Sequence, residues 1–130
     1  MKLDHIGIAV RSIEEAASTY RLMGFTVQET VTLNDQGVRV AVLPAGESRI
    51  ELLEPTNSNS VIQKFLERRG EGIHHVCFRV ADLERKLDEL KRGGAQILDQ
   101  VPDRGYENRR VAFVHPKGTH GALIELVEDA

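Results

Sequence analysis

A chain of 130 residues is the size of one ordinary domain and is long enough to bury a hydrophobic core. Its 17 Lys and Arg against 20 Asp and Glu give a formal net charge of −3, which excludes the strong basic excess of a nucleic-acid binder. The single cysteine, Cys77, excludes an internal disulfide and any Cys-cluster zinc site.

The opening run, Met1–Val10, has no apolar stretch long enough for a leader or a membrane span. The expectation is a soluble, cytoplasmic protein with neither a nucleic-acid nor a membrane partner. Leu3–Val10 reads as a strand, because it is rich in β-branched residues at alternate positions, Ile6, Ile8 and Val10. Ser12 is a natural N-cap for the helix that follows, its side-chain oxygen able to accept amide hydrogens of the first turn. Gly24 ends that helix at the left-handed C-terminal position. Three more strands are expected near Phe25–Thr32, Val38–Leu43 and Ser48–Glu54, with Asn34-Asp35-Gln36-Gly37 as a turn signal. Pro55–Gly72 then bridges to a second half and carries a short helix over Ser60–Arg69.

The second half runs the same course. A strand over Ile73–Val80 precedes a helix capped by Asp82, whose apolar face is Leu83, Leu87 and Leu90. Gly93-Gly94 ends it, and strands follow near Gln96–Asp99, Arg110–His115 and Ala122–Val127. The halves also match residue by residue. Asp4-His5-Ile6-Gly7-Ile8-Ala9-Val10 aligns with His74-His75-Val76-Cys77-Phe78-Arg79-Val80, Pro44-Ala45-Gly46 with Pro116-Lys117-Gly118, and Ile50-Glu51-Leu52 with Ile124-Glu125-Leu126. The fold class is therefore α+β: one domain over 1–130, with βαβββ modules over about 1–56 and 72–130 joined by 57–71.

Strand alternation then sorts the polar residues. Ile6, Ile8, Val10, Ile50 and Leu52 face the first helix, which puts His5 and Glu51 on the opposite face. Val76, Phe78, Val80, Ile124 and Leu126 face the second helix, which puts His75 and Glu125 opposite. If the mixed sheet curves around a shared cleft, these four residues from equivalent positions converge. Two imidazoles and two carboxylates suit a borderline or hard divalent ion such as Co²⁺, Mn²⁺, Ni²⁺, Zn²⁺ or Mg²⁺, and Co²⁺ is the ion expected. A six-coordinate ion would keep two positions open for water or substrate. The remaining histidines read as structural, with His74 on the opposite parity from His75 and His115 and His120 at a strand end and in a loop. Cys77 reads as a small buried hydrophobe and Glu54 as rim or solvent.

Five segments carry a resemblance: Leu3–Val10, Ile50–Pro55, Gly72–Val76, Arg110–Lys117 and Leu123–Leu126. They resemble the vicinal-oxygen-chelate superfamily over essentially the whole chain, and within it the methylmalonyl-CoA epimerases. The run His115-Pro116-Lys117 is the discriminating part. The resemblance implies a glyoxalase-like fold and a metal held by His5, Glu51, His75 and Glu125. It also implies an acyl-CoA substrate, a homodimer, and epimerisation by α-proton abstraction through an enolate. Val40 stands where some epimerases carry a further glutamate, and Gly105–Arg109 is bulkier than the Gly-rich segment of the family. Glu51 and Glu125, flanking the metal, are then the expected pair of proton carriers. Lys117 and Arg110 are the expected contacts for the anionic parts of the ester. The alternatives are a glyoxalase-I-like isomerase, a fosfomycin-type transferase or ring-cleaving dioxygenase, and a metal-free binding module, since one scaffold hosts all of these.

Overall fold

The computed structural model describes residues 1–98, 103–104 and 109–129, of which 103–104 are described by backbone alone. The segment 105–108 and Asp99 lie outside the described residues. The elements are β1 (Lys2–Ala9), α1 (Ile13–Leu22), β2 (Glu29–Leu33), β3 (Val38–Ala45), β4 (Ser48–Pro55), α2 (Val61–Arg69), β5 (Gly72–Val80), α3 (Leu83–Arg92), β6 (Asp103–Arg104), β7 (Arg110–Val114) and β8 (Ile124–Glu128). Short 3₁₀ turns sit at Asn34–Gln36 and Pro116–Thr119. No helix among the described residues is long and apolar enough to cross a membrane.

The chain divides into two compact units, His5–His74 and Met1–Asp4 with His75–Ala130. The division falls between the adjacent histidines, and α2 belongs to the first unit. Each unit has the same topology. In the first the strand order is β2-β3-β4-β1, with β1 parallel to β4 and the other pairs antiparallel. In the second the order is β5-β8-β7-β6, with β5 parallel to β8 and the other pairs antiparallel. Both units are mixed α+β, as the repeat requires.

The helices start and stop where the sequence says. Ser12 accepts from the Glu15 amide at 3.2 Å, and Asp82 accepts from the Arg85 amide at 3.1 Å. Gly24 and Gly94 follow the helices at φ of +105° and +86°, a region that costs an L-residue about 1–2 kcal/mol. Each helix covers one face of its own sheet. Val10, Ile13, Ala17, Ala41, Leu43 and Leu52 form the core of the first unit. Val80, Leu83, Leu87, Ala112, Val114 and Leu126 form that of the second. A smaller cluster of Cys77, Val111 and Val127 lies on the other face of the second sheet. Cys77 is fully buried.

Two edge segments depart from expectation. The strand expected from Phe25 begins only at Glu29. Phe25 donates back to the Tyr20 carbonyl, and Phe25 and Val27 pack onto the α1 core, so these residues close the helix before pairing starts. The strand expected over Gln96–Asp99 is a single bridge between Ile97 and Val114. Ile97 is its one residue packed against the α3 core, and Ala95 still bonds back to Leu90.

Gly37 sits at φ +65°, and a Cβ there would come within 2.8 Å of the Asn57 side-chain nitrogen and 3.3 Å of Ser60 Cβ. Ser60 caps α2 by accepting from the Ile62 amide. Gly37→Ala therefore both strains the backbone and presses on that cap. We expect it to lower the unfolding free energy by about 1–3 kcal/mol, read as an earlier midpoint in urea. A wild-type midpoint would show that the turn relaxes without cost.

Candidate active site

The helix-free faces hold most of the buried polar residues. His5, Glu51, His75 and Glu125 are all buried, at 5, 4, 7 and 8% exposure. Burial at this level is unusual for carboxylates and demands partners. In the first unit, register places Gly7 beside Glu51, so His5 on β1 and Glu51 on β4 share a face. His5 Nε2 and Glu51 Oε1 lie 3.4 Å apart. The second unit repeats this with β5 and β8, where Cys77 pairs with Glu125. His75 Nε2 and Glu125 Oε1 lie 3.0 Å apart. Within each unit the structure thus brings the two expected ligands together, using the same atoms in each pair.

The surroundings of the two pairs differ. Glu51 Oε2 also accepts from Arg49 Nε at 2.8 Å. The neighbour of Glu51 across β3 is Val42, and Val40 stands opposite Leu53. Val40 is 1% exposed and offers no proton carrier. Glu125 instead has Phe113 as its cross-strand neighbour on β7. The Phe113 ring meets the His75 ring edge-on, with centroids 5.9 Å apart, which orients the imidazole. Imidazole nitrogen and carboxylate oxygen in buried pairs fit a borderline divalent ion.

Arg110 does not join this face. Val111 belongs to the cluster with Cys77 and Val127, so Arg110 points the other way, toward α3. There its guanidinium meets Glu84 at 2.6 Å and Glu128 at 3.4 Å. The Glu84 hydrogen bond, aided by the charge of Glu128, raises the Arg110 pKa above its usual value. Lys117, in contrast, is exposed in the 3₁₀ turn after β7, with the His115 ring accepting from its amide at 3.1 Å. The bulky segment expected to affect substrate fit lies outside the described residues except for Arg109. That residue pairs with buried Asp4 at 3.1 Å and also bonds the Glu128 carbonyl. His74 packs edge-on against Phe65.

Glu54, expected at the rim, is structural. Its carboxylate accepts from the Ile13 amide at 2.9 Å and from Arg39 at 2.8 Å, closing the start of α1. The repeat does the same at α3, where Glu128 accepts from the Leu83 amide at 3.2 Å and pairs with Arg110. An acidic side chain at a helix start also suits the helix dipole. Arg39 and Arg110 thus occupy equivalent places, each with a carboxylate from its own helix, Glu14 or Glu84. The alignment of Arg39-Val40-Ala41 with Arg110-Val111-Ala112 was the available signal for this pairing.

Residues 4–113 match the Glyoxalase/Bleomycin resistance protein/Dioxygenase superfamily. The chain is 39% identical over 128 residues to an ethylmalonyl-CoA/methylmalonyl-CoA epimerase of Cereibacter sphaeroides, covering 96% of each. It superposes with a TM-score of 0.97 on a hypothetical protein of Bacillus halodurans, at 42% identity, over 99% of this chain and 94% of that one. It superposes with a TM-score of 0.92 on a Streptomyces coelicolor methylmalonyl-CoA epimerase variant in complex with 2-nitronate-propionyl-CoA. That identity is 38%, over 100% of this chain and 98% of that one.

Proposed function

Because this chain belongs to the Glyoxalase/Bleomycin resistance protein/Dioxygenase superfamily, we propose that it is a metal-dependent methylmalonyl-CoA epimerase in which His5, Glu51, His75 and Glu125 hold one divalent ion. The observation that carries this reading is the pair of buried imidazole–carboxylate contacts at equivalent places of the two repeats. Co²⁺ is our first choice of ion, and the N/O donor set accepts Mn²⁺, Ni²⁺, Zn²⁺ and Mg²⁺ as well. When bound, the ion supplies Lewis-acid stabilisation of the negative charge that develops on the thioester oxygen.

The rest is proton traffic. The substrate carbon lies between a carboxylate and a thioester and carries one removable proton. One glutamate takes that proton on one face and becomes a carboxylic acid, while the electron pair moves to the thioester oxygen. The other glutamate, protonated beforehand, returns a proton to the opposite face and becomes a carboxylate. Glu51 and Glu125 are assigned to these roles, since Val40 leaves no third carboxylate on the β3 side of Glu51. Lys117 is the cation assigned to the phosphates of the CoA ester. Arg110 is assigned to hold α3 to β8 through Glu84 and Glu128. The two modules act as one domain, and the working form is a cytoplasmic homodimer with no nucleic-acid or membrane partner.

Val40 also favours a second reading, a glyoxalase-I-like isomerase acting on a hemithioacetal with the same four ligands. One experiment separates them. Co²⁺-loaded protein is mixed with methylmalonyl-CoA in D₂O, and α-deuteration is followed by mass spectrometry beside an EDTA-treated sample. Rapid metal-dependent exchange is the expected result. No exchange in protein shown to bind the ion would end the epimerase reading and move the assay to hemithioacetals.

A further inference from the structure

The two repeats place their ligand pairs alike but differ in sequence two residues before each carboxylate. Arg49 and Glu51 are two residues apart on β4 and therefore share a face. Arg49 Nε lies 2.8 Å from Glu51 Oε2, while Glu51 Oε1 is the oxygen beside His5. The Arg49 side chain is largely buried, at 17% exposure, so solvent screens this contact less than an exposed pair. The repeat alignment puts Leu123 at the matching place before Glu125. A leucine has no donor for a carboxylate. The asymmetry is thus written into the sequence at one position.

We propose that Arg49 is a positioning residue that holds Glu51 Oε2 out of the ligand set, so that Glu51 meets a metal through Oε1 alone. This rests on reading His5 and Glu51 as ligands. Its consequence is a matter of counting. If His5, His75 and Glu125 each supply one donor atom, a Glu51 bound through Oε1 alone leaves two positions open on a six-coordinate ion. A Glu51 that chelated through both oxygens would close one of them. The substrate offers two oxygens, one from its carboxylate and one from its thioester, and needs both positions. Oε2, fixed by Arg49, is also a pivot about which Oε1 can turn toward a substrate proton and back. Partners in the shell behind metal ligands commonly change affinity or activity by 10–100-fold when removed.

The test compares wild type, R49L and R49K, each loaded with Co²⁺, by visible absorption and by steady-state kinetics. R49L is expected to change the position and intensity of the Co²⁺ bands, as a second Glu51 oxygen enters. R49K, which keeps a donor, is expected to retain the wild-type bands. In the α-deuteration assay kcat/KM should fall about tenfold or more in R49L and stay near the wild-type value in R49K. If R49L fails to fold, R49M keeps the unbranched stem and carries the same comparison. Wild-type bands in a folded R49L or R49M protein would overturn the proposal. So would a wild-type protein that gives no protein-dependent Co²⁺ bands, because the ligand reading would fall with it. A protein that shows the R49L band change but deuterates no methylmalonyl-CoA supports the role of Arg49 and refutes only the substrate.

Discussion

Glu125→Gln is expected to lower the rate of inversion by about 10³-fold while leaving the ion bound. A positioned general base contributes roughly 10²–10⁴-fold, and Gln removes the proton-carrying oxygen while keeping a carbonyl oxygen in nearly the same place. The substitution is close to isosteric at a site where the His75 ring lies 3.0 Å away and Phe113 packs edge-on against that ring. Gross loss of the site is therefore not the expected cause of the fall. The informative readout is the split between inversion and exchange. If two carboxylates serve opposite faces of the substrate carbon, removing one stops inversion for both enantiomers. The enantiomer served by Glu51 still loses its proton and regains deuterium on the same face. Chiral analysis of the deuterated thioester after partial reaction measures this. Inversion at the wild-type rate, in protein that retains its ion, would remove Glu125 from the reaction.

Much of this arrangement was legible because the chain states it twice. That His5 and Glu51 face away from the first helix, and His75 and Glu125 from the second, follows from strand alternation once the helix-facing residues Ile50, Leu52, Ile124 and Leu126 are recognised; their pairing needs the parallel register of β1 with β4 and of β5 with β8. The caps Ser12 and Asp82 were legible because their chemistry is local, a short oxygen within reach of an amide three residues on. What the sequence hid depends on residues far apart in the chain. Glu54 reads as an ordinary strand-end glutamate until β4 places it against the first amide of α1, 41 residues away. Arg110 opens a family-like segment, and so resembles a ligand contact. Strand parity, with Val111 on the buried site face, turns it toward Glu84 instead. Arg49 was open to the same alternation argument as Glu51. The internal repeat does not mark it, because its counterpart is Leu123. The edge runs at Phe25 and Gln96 look like strands in the sequence because their apolar residues, which serve the helix core, carry the same pattern as strand residues. Repetition thus reveals what both halves must do, and conceals what only one of them does.

Leu52→Ala should separate stability from chemistry on neighbouring residues of one strand. Leu52 is fully buried against Val10, Ile13, Ala17, Ala41 and Leu43, on the helix side of β4. Truncating a leucine in such a core removes apolar contact and leaves a partly collapsed cavity, at a cost of about 2–5 kcal/mol. For a domain of this size a loss of about 3 kcal/mol corresponds to a fall in melting temperature of roughly 10 °C. Glu51, one residue earlier, points to the opposite face and is held there by Arg49 and by its contact with His5. The backbone of β4 is in turn fixed by pairing to β1 on one side and β3 on the other. The cavity therefore opens on the face that carries no proton carrier. Well below its melting temperature the variant is expected to keep its Co²⁺ bands and to deuterate substrate within about threefold of wild type, since surviving ladder contacts still orient the carboxylate. Glu51→Gln should weigh the other way, with a large kinetic loss and a smaller fall in melting temperature than Leu52→Ala, because the Gln carbonyl oxygen can still accept from Arg49 although the ion pair is lost. Thermal unfolding and exchange kinetics measured on both variants decide the matter. If Leu52→Ala lost activity as steeply as stability, the two faces of β4 would be mechanically coupled, and the site would depend on core packing rather than on its own polar contacts.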